Sequence, residues 1–217
     1  MQARAKDVNI LIACEESQRE TIAFRNLGFN AYSCDLQLCS GGHPEWHIIG
    51  DCRPYLQGKT TFQTLDFKHR RVSNWHMIIA HPPCTYLCKV SSVWLWVNGE
   101  LDPIRLGKMK EAALFFNECL HALAPYVAVE NPLPMKRAGL PQPSFFIDPS
   151  WFGVKYTKKT LFWTKNLPPI MPEIINPNAT SFVRSSKGKY RSRTFEPVAR
   201  AIALQWGSYL LDELCPI

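Results

Sequence analysis

The stretch Ala80-His81-Pro82-Pro83-Cys84 brings an apolar run to an abrupt stop on two prolines and a cysteine. Two consecutive prolines fix the backbone and remove two N–H donors, so Cys84 is mounted on a rigid loop. A structural cysteine has no need of such a mount. A thiolate nucleophile does, and a nearby cation or helix N-terminus lowers the pKa of such a thiol. Four other places carry polar or reactive groups where an apolar run ends: Cys14-Glu15-Glu16-Ser17, Asp35, Asp51 and Glu130. In open parallel sheets, ligands bind beyond the carboxyl ends of the strands, so five such ends together point to one site. Asp35 is placed to accept hydrogen bonds from ribose hydroxyls, and Asp51 from an adenine amino group; either could instead cap a following helix. The first turn, Cys14-Glu15-Glu16-Ser17-Gln18, has no glycine, which argues against a phosphate cradle and hence against a dinucleotide or nucleoside triphosphate.

The elements that must hold these residues follow from hydrophobic spacing. Val8 to Ala13 is a short run rich in β-branched residues and leads into a helical stretch closed by Gly28. Short strands are expected at Asn30 to Ser33, His47 to Ile49, Trp75 to Ala80, Tyr126 to Val129 and Thr160 to Thr164. Asp102-Pro103 starts a long helix whose apolar residues, Leu106, Met109, Ala113, Phe116, Leu120 and Leu123, recur every three or four positions. A last helix is expected over Pro197 to Leu211. Strands alternating with helices predict an α/β fold with a mostly parallel, doubly wound sheet covered on both faces.

At 217 residues and 46% hydrophobic, the chain has room for one substantial core, and one domain over 1–217 is expected. No apolar run reaches about 18 residues, so no membrane span is expected and the chain is assigned to the cytoplasm. Its eight cysteines lack the paired spacing of a zinc ribbon. Cys39, His43 and His47 fall at four-residue intervals, but Gly41, Gly42 and Pro44 break the helix that would align them, so no metal is expected. The net charge of +7 is uneven: residues 1–51 hold four Lys/Arg against seven Asp/Glu, and the rest holds 21 against 11. A basic second part suits a polyanion, although it equally describes a solvated basic face.

A strand ending in Pro-Pro-Cys, followed about 45 residues later by a strand ending in Glu-Asn, resembles the two catalytic motifs of the cytosine-5 DNA methyltransferases. Gly28-Phe29 before the strand ending at Asp35 is similar to that family's second motif, and Gly50-Asp51 to its third. Phe152-Gly153-Val154 with Lys158 and Leu161-Phe162 is similar to a motif that usually carries Gln, Arg and Arg, where this chain has Tyr156, Lys158 and Thr160. Glu196-Pro197-Val198-Ala199-Arg200 is similar to the C-terminal helix that packs beside the first strand. The resemblance implies a sheet of the S-adenosylmethionine-dependent methyltransferase type and methyl transfer to carbon 5 of cytosine. It assigns Cys84 as the nucleophile adding to carbon 6 and Glu130 as the acid at ring nitrogen 3, with Pro82 and Pro83 shaping the loop and Asn131 holding the glutamate. It places S-adenosylmethionine against Cys14, Glu15, Ser17, Asp35, Asp51 and Pro82.

Two departures bear on the substrate and the cofactor. The first motif of the family has glycines beneath the methionine part of the cofactor, where this chain has Cys14-Glu15-Glu16-Ser17-Gln18. Between Phe162 and Thr194 there are about 30 residues where the family carries a longer recognition region. The recognition segment, at about 165–193, is therefore short, as in small phage-type members, for which the cytoplasm would be the host's. Arg184, Lys187, Lys189, Arg191 and Arg193, with Tyr190 among them, are candidate contacts to nucleic acid, as is Lys158. Such contacts are sequence-tolerant and suit single strands; DNA is the expected partner, with RNA and a free nucleotide left open. Two rivals stand beside this reading. His81-Pro82-Pro83 with Tyr86 distantly resembles methyltransferases acting on exocyclic amines. The altered first motif would also fit a catalytically inactive methyltransferase-like chain that binds nucleic acid or inhibits a partner.

Overall fold

Ile10, Leu11, Ile12 and Ala13 have no exposed surface, so the strand they form must be covered on both faces, as in the centre of a parallel sheet. The computed structural model describes residues 4–182 and 193–214. In chain order its elements are β1 (Asn9–Ala13), α1 (Arg19–Asn26), β2 (Asn30–Asp35), β3 (His47–Ile49), α2 (Arg53–Leu56), β4 (Thr61–Gln63), β5 (His69–Arg71), β6 (Met77–Ala80), β7 (Trp96–Val97), β8 (Glu100–Leu101), α3 (Pro103–Leu120), β9 (Tyr126–Asn131), β10 (Phe145–Ile147), β11 (Tyr156–Thr157), β12 (Thr160–Lys165), β13 (Thr180–Ser181) and α4 (Glu196–Leu214). A seven-stranded sheet runs in the order β10, β12, β9, β6, β1, β2, β3. Its five strands from β9 to β3 are parallel, while β12 and β10 continue one edge antiparallel.

Alternation along each strand divides the interior in two. Leu11, Ala13, Ile78, Ala80, Val127 and Val129 face one side, where Phe116 and Met109 of α3 and the buried Trp75 and Trp163 cover them. Ile10, Ile12, Met77, Ile79 and Ala128 face the other, under Phe24 of α1 and Ile202 and Trp206 of α4. The expected strands lie within two residues of where the spacing put them, but α3 ends at Leu120, so Leu123, expected on its apolar face, lies exposed beyond it, and α4 runs three residues past Leu211. Trp75 and His76 precede β6 rather than opening it. The Trp75 indole N–H donates to the Lys59 carbonyl at 2.9 Å and lies against the β4–β5 hairpin, its ring 5.7 Å from Phe62. That hairpin was not legible, because each of its strands has three residues and only Phe62 is buried. Asp102 caps α3 by accepting from the N–H groups of Ile104 and Arg105 at 2.9 and 3.3 Å. Among the described residues no helix is long and apolar enough to cross a membrane.

Two helical glycines make opposite predictions. A Cβ on Gly207 of α4 would lie 2.7 Å from the ring of Phe29, itself buried and edge-on to Phe24, whereas a Cβ on Gly107 of α3 would meet nothing within 4 Å. Gly207→Ala is expected to destabilise the protein by about 1–3 kcal/mol through overpacking. Gly107→Ala should stabilise it by about 0.5–1 kcal/mol by removing backbone freedom from the unfolded chain. Urea unfolding of the two variants checks both signs.

Candidate functional site

β1 and β6 are neighbours, but the chain leaves them toward opposite edges, β1 to β2 and β6 to β9. Beyond such a pair no crossover covers the carboxyl ends, and a crevice opens. It holds a cleft of about 700 Å³ whose walls include Cys14, Glu15, Glu16 and Ser17 after β1, Asp35 after β2, Asp51 after β3, and His81, Pro83 and Cys84 after β6. The structure thus brings together all but one of the residues expected near a cofactor. Pro82 is buried behind the wall, where its carbonyl accepts from Asn131 Nδ2 at 3.5 Å and so ties the cysteine loop to the Glu130 strand.

The first turn forms without glycine. Cys14 and Gln18 take left-handed conformations, with φ of 61° and 58°, each a cost of roughly 1–2 kcal/mol. Three features hold the turn. The N–H groups of Cys14 and Glu15 donate to the Cys34 carbonyl at 2.7 and 3.3 Å. Gln18 exchanges two hydrogen bonds with the backbone of His43, at 2.9 and 3.1 Å. Gly41 lies so close to Gln18 that a Cβ there would be 2.6 Å from the Gln18 Cβ. Glu15 is buried, and its two oxygens accept from the N–H groups of Glu20 (2.7 Å) and Thr21 (3.3 Å) and from Thr21 Oγ1 (2.7 Å). It anchors the start of α1. Burial, and then the charge of Glu20, push its carboxyl up to about 7.

Asp35 Oδ1 accepts from the Gln37 N–H at 2.8 Å, and Asp51 Oδ1 from the Arg53 N–H at 3.0 Å. Each carboxylate therefore braces its own turn as well as lining the cleft. Both ring nitrogens of His47 are engaged, by Ser33 Oγ at 2.8 Å and the Gln37 carbonyl at 2.9 Å, and His43 stacks on Trp46. Among the described residues no group of three His, Cys, Asp or Glu side chains is placed to hold a metal.

Pairing of Ala80 with Val129 sets His81 beside Glu130, with Cys84 three residues further along its loop. The Cys84 carbonyl accepts from the N–H groups of Leu87 and Cys88, both at 3.0 Å, so the two cysteines sit on successive turns of one tight loop. The Cys88 sulfur, burial and the Glu130 charge push the Cys84 thiol well up, against the pull of the Lys158 ammonium. The Cys88 thiol is lowered, with Cys84 and Ser91 as its hydrogen-bond partners. Cys88 is thus the more acidic sulfur of the pair.

Glu20 carried no expectation of function, and His81 only that of the rival exocyclic-amine motif His81-Pro82-Pro83. His81 Nδ1 lies 3.3 Å from Glu130 Oε2 and Nε2 lies 3.2 Å from Glu20 Oε2. Burial works against charge on this ring, but the charges of Glu20 and Glu130 outweigh it and hold the imidazole pKa well above its usual value. Burial likewise raises the Glu130 carboxyl, but His81, Lys158 and Thr160 together draw it below the usual range. Glu130 and Lys158 share a small adjoining cavity of about 20 Å³, and Arg193 and Thr194 border both spaces. Arg193 turns back onto the rim, donating to Glu16 Oε1 at 3.2 Å and to Ser40 Oγ at 3.1 Å. Arg184, Lys187, Lys189, Tyr190 and Arg191 lie outside the described residues.

No protein-family profile matches this chain, and no curated protein matches it. A solved structure similar to it is named as a candidate DNA modification methyltransferase encoded within an E. coli prophage, with 13% identity and a TM-score of 0.44. The match covers 78% of this chain and 52% of that protein, so the chain spans about half its length.

The histidine and its two carboxylates give stability a defined pH window. The imidazolium contributes fully below its unfolded value of 6.5 and loses that contribution as the pH rises through the raised folded value. Glu130 contributes above its unfolded value of 4.5 and loses its contribution as the pH falls through the lowered folded one. His81→Asn leaves Glu20 and Glu130 without the cation between them, at a cost of about 3 kcal/mol. The gap in unfolding free energy between the native chain and His81→Asn is expected to be widest between pH 4.5 and pH 6.5, and to narrow as the pH falls below 4.5 or rises above 6.5. A gap that does not vary with pH contradicts the charged array.

Proposed function

We propose that this chain transfers a methyl group from S-adenosylmethionine to carbon 5 of cytosine in nucleic acid, through a covalent adduct at Cys84. The observation that carries this reading is the placement of Cys84 and Glu130 at the ends of the adjacent strands β6 and β9, with Cys84 opening on the switch-point cleft. The whole chain is read as one catalytic domain of the S-adenosylmethionine-dependent type, with a short recognition segment at about 165–193.

The cleft suits the cofactor. Its volume of about 700 Å³ lies within the usual range for small-molecule sites. Asp35 ends the second strand, where a carboxylate can receive ribose hydroxyls. Asp51 offers an acceptor at the end of the third, and Phe115 provides an apolar wall nearby. When bound there, S-adenosylmethionine supplies an electrophilic methyl group. Cys84 adds to carbon 6 of the ring while its proton passes to the neighbouring Cys88 sulfur, and Glu130 engages ring nitrogen 3 so that carbon 5 becomes nucleophilic. Once carbon 5 carries the methyl group, solvent takes the carbon 5 proton, whose electron pair restores the ring double bond and expels Cys84 as thiolate.

A cytosine carrying fluorine at position 5 cannot complete that last step. With cofactor and such an oligonucleotide, a stable adduct is expected on Cys84 and is lost in Cys84→Ser; a tryptic map places it. An adduct at Cys88, or one that persists in Cys84→Ser, contradicts the assignment. The upward push on the Cys84 thiol favours a second reading, a methyltransferase-like chain that binds nucleic acid without turnover. Absence of any adduct despite cofactor binding would select it.

The substrate strand is read as crossing the segment beyond Cys84. Trp94 and Trp96 there are 66% and 50% exposed, and the Arg137 guanidinium lies 5.8 Å from the Trp96 ring centre. Lys89 and Lys136 are exposed beside them, and the Lys89 N–H donates to the Leu133 carbonyl at 2.7 Å, joining the two loops. Exposed aromatic faces between cations suit stacked bases and phosphates. Trp94→Ala with Trp96→Ala is expected to weaken single-stranded oligonucleotide binding by about 1–3 kcal/mol per lost stack. Binding should fall steeply between roughly 50 and 200 mM salt. Fluorescence titration at two salt concentrations checks both; tight, salt-insensitive binding to one duplex sequence contradicts the reading.

A further inference from the structure

A cytosine ring nitrogen that takes up a proton needs a donor, and the groups around Glu130 hold its carboxyl ionised. Behind Glu130 stands His81, whose two ring nitrogens face carboxylate oxygens of Glu130 and Glu20 at 3.3 and 3.2 Å. Both neighbours are acceptors. A neutral imidazole has one N–H and can serve only one of them, whereas the imidazolium donates to both. Glu20 has no exposed surface, and its other oxygen accepts from Thr194 Oγ1 at 3.3 Å. The charged and titratable groups facing this array are Glu15 from the first turn, Lys158 ahead of β12, Arg193 on the shared wall and Cys84 on the loop of His81 itself.

Resting on the methyl-transfer reading, we infer that His81 stores the proton that Glu130 passes to the cytosine ring, with Glu20 as the buried anion that fixes its far nitrogen. The proton leaves Nδ1 for a Glu130 carboxylate oxygen, and the carboxyl group so formed gives it to ring nitrogen 3. His81 ends as neutral imidazole and Glu130 as carboxylate, so one positive charge has moved from the imidazole to the ring and the total is unchanged. When the thiolate is expelled, ring nitrogen 3 gives the proton back through Glu130 to His81, so a neutral methylated ring leaves and the relay is reset. His81 acts through Glu130 and is a positioning residue for the reaction.

The test has two arms. Nitrogen-15 NMR of imidazole-labelled whole protein is expected to find His81 protonated on both nitrogens at pH 7.5, and on one only in Glu20→Gln. A neutral His81 in the native chain at that pH overturns the inference. In the second arm, the pH profile of methyl transfer to cytosine oligonucleotides should fall on its basic side as His81 loses its proton. His81→Asn should lower turnover by about 100-fold and abolish that limb, with Glu20→Gln moving the limb to lower pH. Unchanged profiles in both variants overturn the relay while leaving methyl transfer standing. A native chain that transfers no methyl group overturns the function and the relay together, and a doubly protonated His81 would then mark the array as structural.

Discussion

Glu20 has no exposed surface, and a carboxylate taken that far from water must find opposite charge or strong donors on the spot. It finds them in His81, from a different strand end, and in Thr194, from the segment that leads into α4. The same histidine reaches Glu130 at the end of β9. One largely enclosed imidazole therefore joins α1, the cysteine loop and the glutamate strand. Its geometry follows from the register of β6 against β9, which leaves no freedom in where His81 and Glu130 meet. Without that charge match, the cleft would lose the pairing that holds its two reactive strand ends side by side.

The first turn solves a related problem by different means. A chain that leaves β1 and turns over β2 must pass through left-handed backbone, which glycine ordinarily supplies. Here Cys14 and Gln18 adopt it, and the strain is offset by bonds to Cys34 and His43 and by the close seat of Gly41. Glu15 spends both oxygens on the start of α1. Cys14 and Ser17 of this turn line the cleft together with the carboxylates Asp35 and Asp51, and Arg193 is drawn across the rim to Glu16.

Much of the sheet was legible because its strands are short, fully apolar runs that stop on polar residues, and the long helix announces itself by Asp102-Pro103 and its spacing. The antiparallel edge of β12 and β10 was not, since strand direction is set by pairing that local sequence does not encode: Leu161 could meet Asn131 in either sense until the chain between them is placed. The same limit applied to the site. Cys84, Asp35, Asp51 and Glu130 stood out as groups at strand ends, while Glu20 read as an ordinary polar residue in the first turn of a helix. His81 drew notice only through the rival exocyclic-amine motif, with no partner named for its ring. Its two partners are 61 and 49 residues away in sequence, a separation that only the sheet register closes.

Incubation of the protein with methyl-labelled S-adenosylmethionine and cytosine-containing oligonucleotides, followed by nucleoside analysis, shows whether Cys84 carries methyl transfer. Label is expected on carbon 5 of cytosine, and none when Cys84 is replaced by serine. Label on an exocyclic amine, or transfer that persists without Cys84, would contradict it.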